Sequence, residues 1–117
     1  RGRDREGKGQ MINVTYDRKR LIVKVKGHAQ SGEAGHDLVC AAASILVYTL
    51  SANVTELCAD RRRVRRPVLD IREGDTTIAC APVHGMQAVT TLVFDTVCMG
   101  FAVLQQRYPE NLTYRVV

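Results

Sequence analysis

The densest chemistry in this chain lies between Gly27 and Ser44, in "GHAQSGEAGHDLVCAAAS". His28 and Cys40 stand twelve residues apart there. An ordinary thiol ionises near pH ~8.5, so only a few per cent is thiolate at neutral pH. A nucleophilic Cys therefore needs a base to take its proton, and imidazole is suited to that task. Such a pair needs hydrogen-bond reach in space, not a fixed order in sequence. His36, four residues before Cys40, is a rival base. Asp37 reads as a helix N-cap, which would put Cys40 in the first turn. There the unbonded N–H groups and the helix dipole favour a thiolate and can hold a substrate oxyanion. Asp37 could instead orient His28. Ser44, one helical turn past Cys40, could steady the site or bond back to its own helix. Ser31, Gly32, Gly35 and His36 belong to the intervening small-residue loop, which could close over a bound peptide.

Each of these residues also has a plainer reading. Cys is often a buried small hydrophobe, and Cys58, Cys80 and Cys98 are read that way. A strand-end His commonly has no chemical task, and His84 is read as structural. No two Cys have the C-x-x-C spacing of a zinc knuckle, so no metal site is expected. A redox sensor built on Cys40 would lack a resolving Cys nearby in sequence.

The elements that must position the pair are legible from periodicity. Residues 11–16 and 20–27 read as strands joined by a turn at "DRK", with Leu21, Val23 and Val25 on one face. A helix is predicted from Leu38 to about Leu57, apolar around most of its circumference and so buried on more than one side. "ADRRRVRRP" (59–67) reads as a charged connector, since Pro67 disfavours helix at Arg66. "VLDIRE" and "TTIACAP" are strands around a Gly74–Asp75 turn. A second helix is predicted from about His84 to Tyr108, with Val89, Val93, Val97, Phe101, Leu104 and Tyr108 inward, and Pro109 ends it. "NLTYRVV" is a last strand. The order β-β-α-β-β-α-β predicts an α+β fold of two layers, a mostly antiparallel sheet with two helices on one face.

Hydrophobic residues make up 45% of the 117-residue chain, enough for a core without disulfides. Residues 1–10 hold no large apolar side chain and read as a disordered tag remnant; 11–117 reads as a single domain with 13 basic and 10 acidic residues, a net +3. That balance permits a nucleic-acid partner without requiring one. Arg61, Arg62, Arg63, Arg65 and Arg66 form the one strong charge run. It could hold ribosomal RNA through phosphates or an acidic partner, or be a solvated loop. No aromatic residue interleaves it for base stacking. The charge-free run from Leu38 to about Asn53 is taken as short of the ~18–20 residues that cross a bilayer. With no signal peptide, the protein is expected to be soluble and cytoplasmic, with no membrane association.

The run from Gly27 to Ser44 resembles the signature of the bacterial ribosomal-processing cysteine protease family, Prp: G-H-A, a Gly-containing loop with G-x-D, then V-C-A-A-x-S. The layout of elements from Met11 to Val117 also fits. The resemblance implies a small cytoplasmic cysteine endopeptidase, a homodimer, that removes a short N-terminal extension from a large-subunit ribosomal protein. It implies Cys40 as nucleophile, His28 as base, a substrate-ordered loop between them, and no cofactor or metal. The chain departs from the family at 59–67, where other members are acidic or neutral. The alternative from another class is a non-catalytic ribosome-associated module that binds rRNA through Arg61–Arg66.

Overall fold

The structure, a computed structural model, describes residues 11–27 and 34–117, and of 34–37 the backbone alone. The expected tag at 1–10, with His28, Ser31 and Gly32, lies outside the described residues. The elements are β1 (Ile12–Asp17), β2 (Ile22–Lys26), α1 (Ala34–Leu57), β3 (Val64–Arg72), β4 (Asp75–Pro82), α2 (Gln87–Arg107) and β5 (Leu112–Val116). They form one five-stranded sheet in the order β3-β4-β2-β1-β5. All pairings are antiparallel except β1 with β5. This is the predicted α+β architecture, with a single parallel pairing at one edge.

Alternation decides which face of the sheet the helices cover. Ile12, Val14 and Tyr16 of β1, Val23 and Val25 of β2, and Thr76, Ile78 and Cys80 of β4 are all buried. Their registers make continuous apolar rungs, such as Tyr16–Val23–Ile78. The opposite face carries Lys24, Lys26, Asp70 and Arg72. Onto the apolar face α1 lays Val39, Ala43, Val47, Leu50 and Val54, and α2 lays Thr90, Phe94, Val97, Phe101 and Leu104. The two helices meet closely where Gly100 faces Leu46. A Cβ at Gly100 would stand 2.5 Å from the Leu46 side chain.

Three boundaries differ from the sequence reading, each for a local reason. The first helix begins at Ala34 and not after Asp37, so Gly35 and His36 have helical backbone rather than loop. Ala starts a helix well, and nothing in 34–37 forbids it. The second helix begins at Gln87, because Gly85 sits at φ +91 and cannot be helical. Its inward row is Thr90 and Phe94 rather than Val89 and Val93; buried Thr90 satisfies its hydroxyl by donating to the Met86 carbonyl at 2.7 Å. The third strand starts at Val64, inside the expected connector. It is an edge strand with an irregularity between Arg65 and Val68, which is where a sheet accepts Pro67.

Both helices also reach the length and composition of a membrane span, against the sequence reading of 38–53. Leu38–Leu57 has a mean hydropathy of 1.7 and Gln87–Arg107 of 1.6. The charge-free run extends to Thr55, which is why the first was underestimated. A core helix passes the same test, and here each helix buries one row of side chains on the sheet.

One polar cluster locks β1 to α2. The Tyr16 hydroxyl donates to Asp95 at 2.8 Å, and Arg18 binds the same carboxylate through Nε and Nη2. The Arg18 guanidinium holds the Asp95 carboxyl below its usual range. Burial raises the Tyr16 and Tyr114 hydroxyls above the ordinary 10.0. Burial likewise raises the Cys80 and Cys98 thiols from 9.0 to about 12.

At pH values above their ordinary 9.0 or 10.0 these four groups stay protonated in the fold but ionise in the unfolded chain. Their stabilisation is complete below about pH 9 and is lost as pH rises toward their folded values. Thermal unfolding followed by circular dichroism should show a midpoint that is level from pH 7 to about 9 and declines steadily to pH 11. A level midpoint throughout would refute this account.

Candidate active site

Burial of the Val39 row fixes the rotation of α1 about its axis. Cys40 and Ser44 each follow a buried residue by one position, or about 100° around the helix. They are therefore carried off the sheet to the rim of a cleft of about 460 Å³. Cys40 is half-buried and Ser44 exposed. Val47 and Tyr48 continue the helical wall.

The facing wall is the end of β2 and the β3–β4 hairpin, from Val25 and Gly27 to Ile71–Thr76. Gly27 is fixed in three ways. Its φ is +85. Its N–H donates to the Gly74 carbonyl at 2.9 Å. A Cβ there would collide with the Met11 carbonyl oxygen, a backbone atom with nowhere to rotate. The hairpin wall is charge-compensated. Asp75 takes Lys26 at 3.3 Å and Arg72 at 3.7 Å, and Arg72 also meets Asp70 at 3.1 Å. These pairs are largely exposed, so they order the wall more than they stabilise it.

The predicted site residues divide as follows. Cys40 and Ser44 are brought together on one cleft. Gly27, one peptide bond before His28, lines the same cleft, while His28, Ser31 and Gly32 lie outside the described residues. Gly35, His36 and Asp37 have helical backbone at the head of α1. Asp37 is the fourth helical residue and not the cap, and Cys40 is the seventh. The amide of Cys40 thus falls beyond the leading N–H groups, which belong to 34–37. The oxyanion role assigned to the turn of Cys40 has no support from this geometry.

The sequence reading missed the hairpin 71–76, whose Gly–Asp turn was recognised only as a turn, and the structural demand at Gly27. Among the described residues, no group of three His, Cys, Asp or Glu is placed to hold a metal. Of the remaining thiols, Cys80 and Cys98 are buried, and burial raises the thiol of Cys58, which is half-buried like Cys40.

A profile of the cysteine protease Prp family matches residues 11–113. The ribosomal processing cysteine protease Prp of Staphylococcus aureus is 28% identical over 101 residues, covering 86% of this chain and 91% of its own length. The crystal structure of the S. aureus ribosomal processing protease Prp with a substrate peptide superposes with a TM-score of 0.67. It covers 92% of this chain and 98% of that one at 22% identity, a likeness of fold. A Streptococcus mutans protein of known structure has a TM-score of 0.62 at 29% identity, covering 95% and 97% of the two chains.

Two outcomes follow from the geometry. Iodoacetamide at pH 7.5, read by peptide mass mapping of the native protein, should modify Cys40 at least ~10-fold faster than Cys80 or Cys98, whose burial blocks both access and ionisation. Equal labelling of the three would contradict the assignment of a chemical role to Cys40. Gly27→Ala should cost about 1–3 kcal/mol in denaturant unfolding, from a strained backbone and the collision with Met11. An unchanged midpoint would show that β2 can end otherwise.

Proposed function

Because this chain belongs to the cysteine protease Prp family, and is a cysteine protease, we propose that it removes a short N-terminal extension from a large-subunit ribosomal protein. The observation that carries this reading is the placing of Cys40 and Ser44, the V-C-A-A-x-S residues, on a cleft whose other wall ends at Gly27, next to His28. The relatives named for ribosomal processing support the substrate class, and the same reading places the protein in the cytoplasm.

In the proposed reaction His28 takes the Cys40 proton and the thiolate attacks the scissile carbonyl. The imidazolium returns the proton to the leaving amine, and water hydrolyses the thioester. Asp37 and Ser44 support the pair. Residues 29–33, including Ser31 and Gly32, control access to it, and Gly35 and His36 flank them at the head of α1. No cofactor or metal takes part. The apolar side chains of Ile71, Val25, Val47 and Tyr48 on the cleft suit a peptide with apolar residues beside the cut. The alternative of a non-catalytic module leaves this cleft without a task.

A homodimer is part of the proposal. The outer faces of the helices expose Leu38, Ile45 and Tyr48 on α1, and Leu92, Met99 and Val103 on α2. Apolar exposure on that scale is characteristic of an interaction surface, and a second copy of the chain is the occupant proposed for it.

The test is mass spectrometry of ribosomal-protein precursors incubated with wild type, Cys40→Ala and His28→Ala. Wild type should release one short N-terminal peptide. Cys40→Ala should release none, and His28→Ala should be slower by about 10²–10⁴-fold. Cleavage by Cys40→Ala at the wild-type rate would sink the mechanism. For the dimer, sedimentation should show Leu92→Glu with Met99→Glu as a monomer and wild type as a dimer; a monomeric wild type would remove the second copy from the proposal.

A further inference from the structure

Five of the 13 basic residues of 11–117 fall between positions 61 and 66, and all five are exposed. Arg61, Arg62 and Arg63 occupy the turn after α1, while Arg65 and Arg66 open the edge strand β3. The backbone carrying them is held from several sides. Val64 between them is fully buried. The N–H of Arg63 donates to the Asp60 carbonyl at 2.9 Å, and the carbonyl of Arg63 accepts from Val83 at 2.8 Å. Nε of Arg65 donates to the Arg61 carbonyl at 2.7 Å. Arg62 is paired with Asp60 at 3.1 Å. Among the described residues, no carboxylate lies within 4.0 Å of Arg61, Arg63, Arg65 or Arg66.

Two classes of partner take a surface of this charge: an acidic protein segment or a nucleic-acid backbone. A protein docking surface is centred on apolar or aromatic anchors. Between Asp60 and Pro67 the one apolar side chain is Val64, and it is buried; the exposed Val68 and Leu69 lie beyond Pro67, outside the Arg run. Phosphate binding needs only cations and donors, and the planar guanidinium fork fits phosphate. With no aromatic side chain in the run, the contact would be blind to sequence.

We propose that Arg61, Arg63, Arg65 and Arg66 form a docking surface for the phosphate backbone of structured RNA. The choice of RNA rests on the ribosomal-protein reading above. The surface lies apart from the chemistry along β3: Arg66 and Ile71, whose end of the strand walls the Cys40 cleft, are five residues or about 17 Å apart. A peptide of three or four residues in the cleft does not span that distance, whereas a substrate already bound to RNA is held at both ends of the strand.

The experiment measures fluorescence anisotropy of an RNA duplex of about 20 base pairs with the full chain, from about 50 to 200 mM salt. Binding by wild type should weaken with salt, and replacing all four Arg with Gln should lower affinity at least ~10-fold and flatten the log–log salt slope by about 3. Arg61→Gln with Arg63→Gln, which leaves β3 untouched, should give about half of that flattening and guards against a folding defect. Thermal midpoints and cleavage of a short precursor peptide should be unchanged in both variants. Absence of RNA binding at the lowest salt would overturn the proposal. So would a variant that binds like wild type, or competition by poly-glutamate as effective as competition by RNA. Failure of the protease reading would show separately, as an uncut precursor.

Discussion

The rotation of α1 is the constraint on which the rest of the site depends. Val39, Ala43, Val47, Leu50 and Val54 are each less than one-tenth exposed, and their burial on the sheet admits one orientation of the helix. Fully burying side chains of this size contributes about 1.5–3 kcal/mol each for the larger ones, so a misrotated helix would forfeit most of its packing. Cys40 and Ser44 need no separate positioning device. They are the next residues round, and the core places them. The contact of Gly100 with Leu46 then sets α2 against α1, and the Tyr16–Asp95–Arg18 cluster ties α2 back to β1.

The other wall of the cleft rests on a different kind of constraint. Gly27 is held by backbone geometry and not by apolar burial, with its N–H on the hairpin turn and its Cα against the Met11 carbonyl. This closes the sheet end without a side chain, which leaves room beside the thiol. The G in the sequence G-H is therefore a packing requirement of the sheet as much as a part of the motif. The cleft therefore has one wall anchored by the packed core of α1 and another anchored by backbone geometry at a single glycine.

Much of this was readable in advance because it is local. Alternation in 20–27 gave the inward row Leu21, Val23 and Val25, and the spacing of Cys40 and Ser44 gave their shared face. What could not be read is what depends on partners distant in sequence or on single backbone angles. Nothing in "NLTYRVV" says that it pairs in parallel with β1. Gly85 at φ +91 delays α2, and one apolar series, Val89 and Val93, loses to the adjacent Thr90 and Phe94 because a hydroxyl can be satisfied by its own helix. The start of β3 was hidden by its composition. Arg and Pro are poor strand residues in a sheet centre but acceptable at an edge, and only Val64 signalled a strand.

Arg66 shows why that hidden segment matters. It has φ +56, a costly region for a side chain with a Cβ, and it precedes a Pro that has no N–H to give. Both departures fall at the irregularity between Arg65 and Val68, and both are tolerable because β3 has no further strand outside it. Among the described residues the non-Gly positions at positive φ are Arg66, at the start of β3, and Leu21, in the turn between β1 and β2. Sequences usually agree with their folds at every level, and disagreement concentrates where something besides folding is being specified. In this chain one such disagreement, Arg66 with Pro67, sits at the start of the strand that links an electropositive edge to the cleft that holds Cys40.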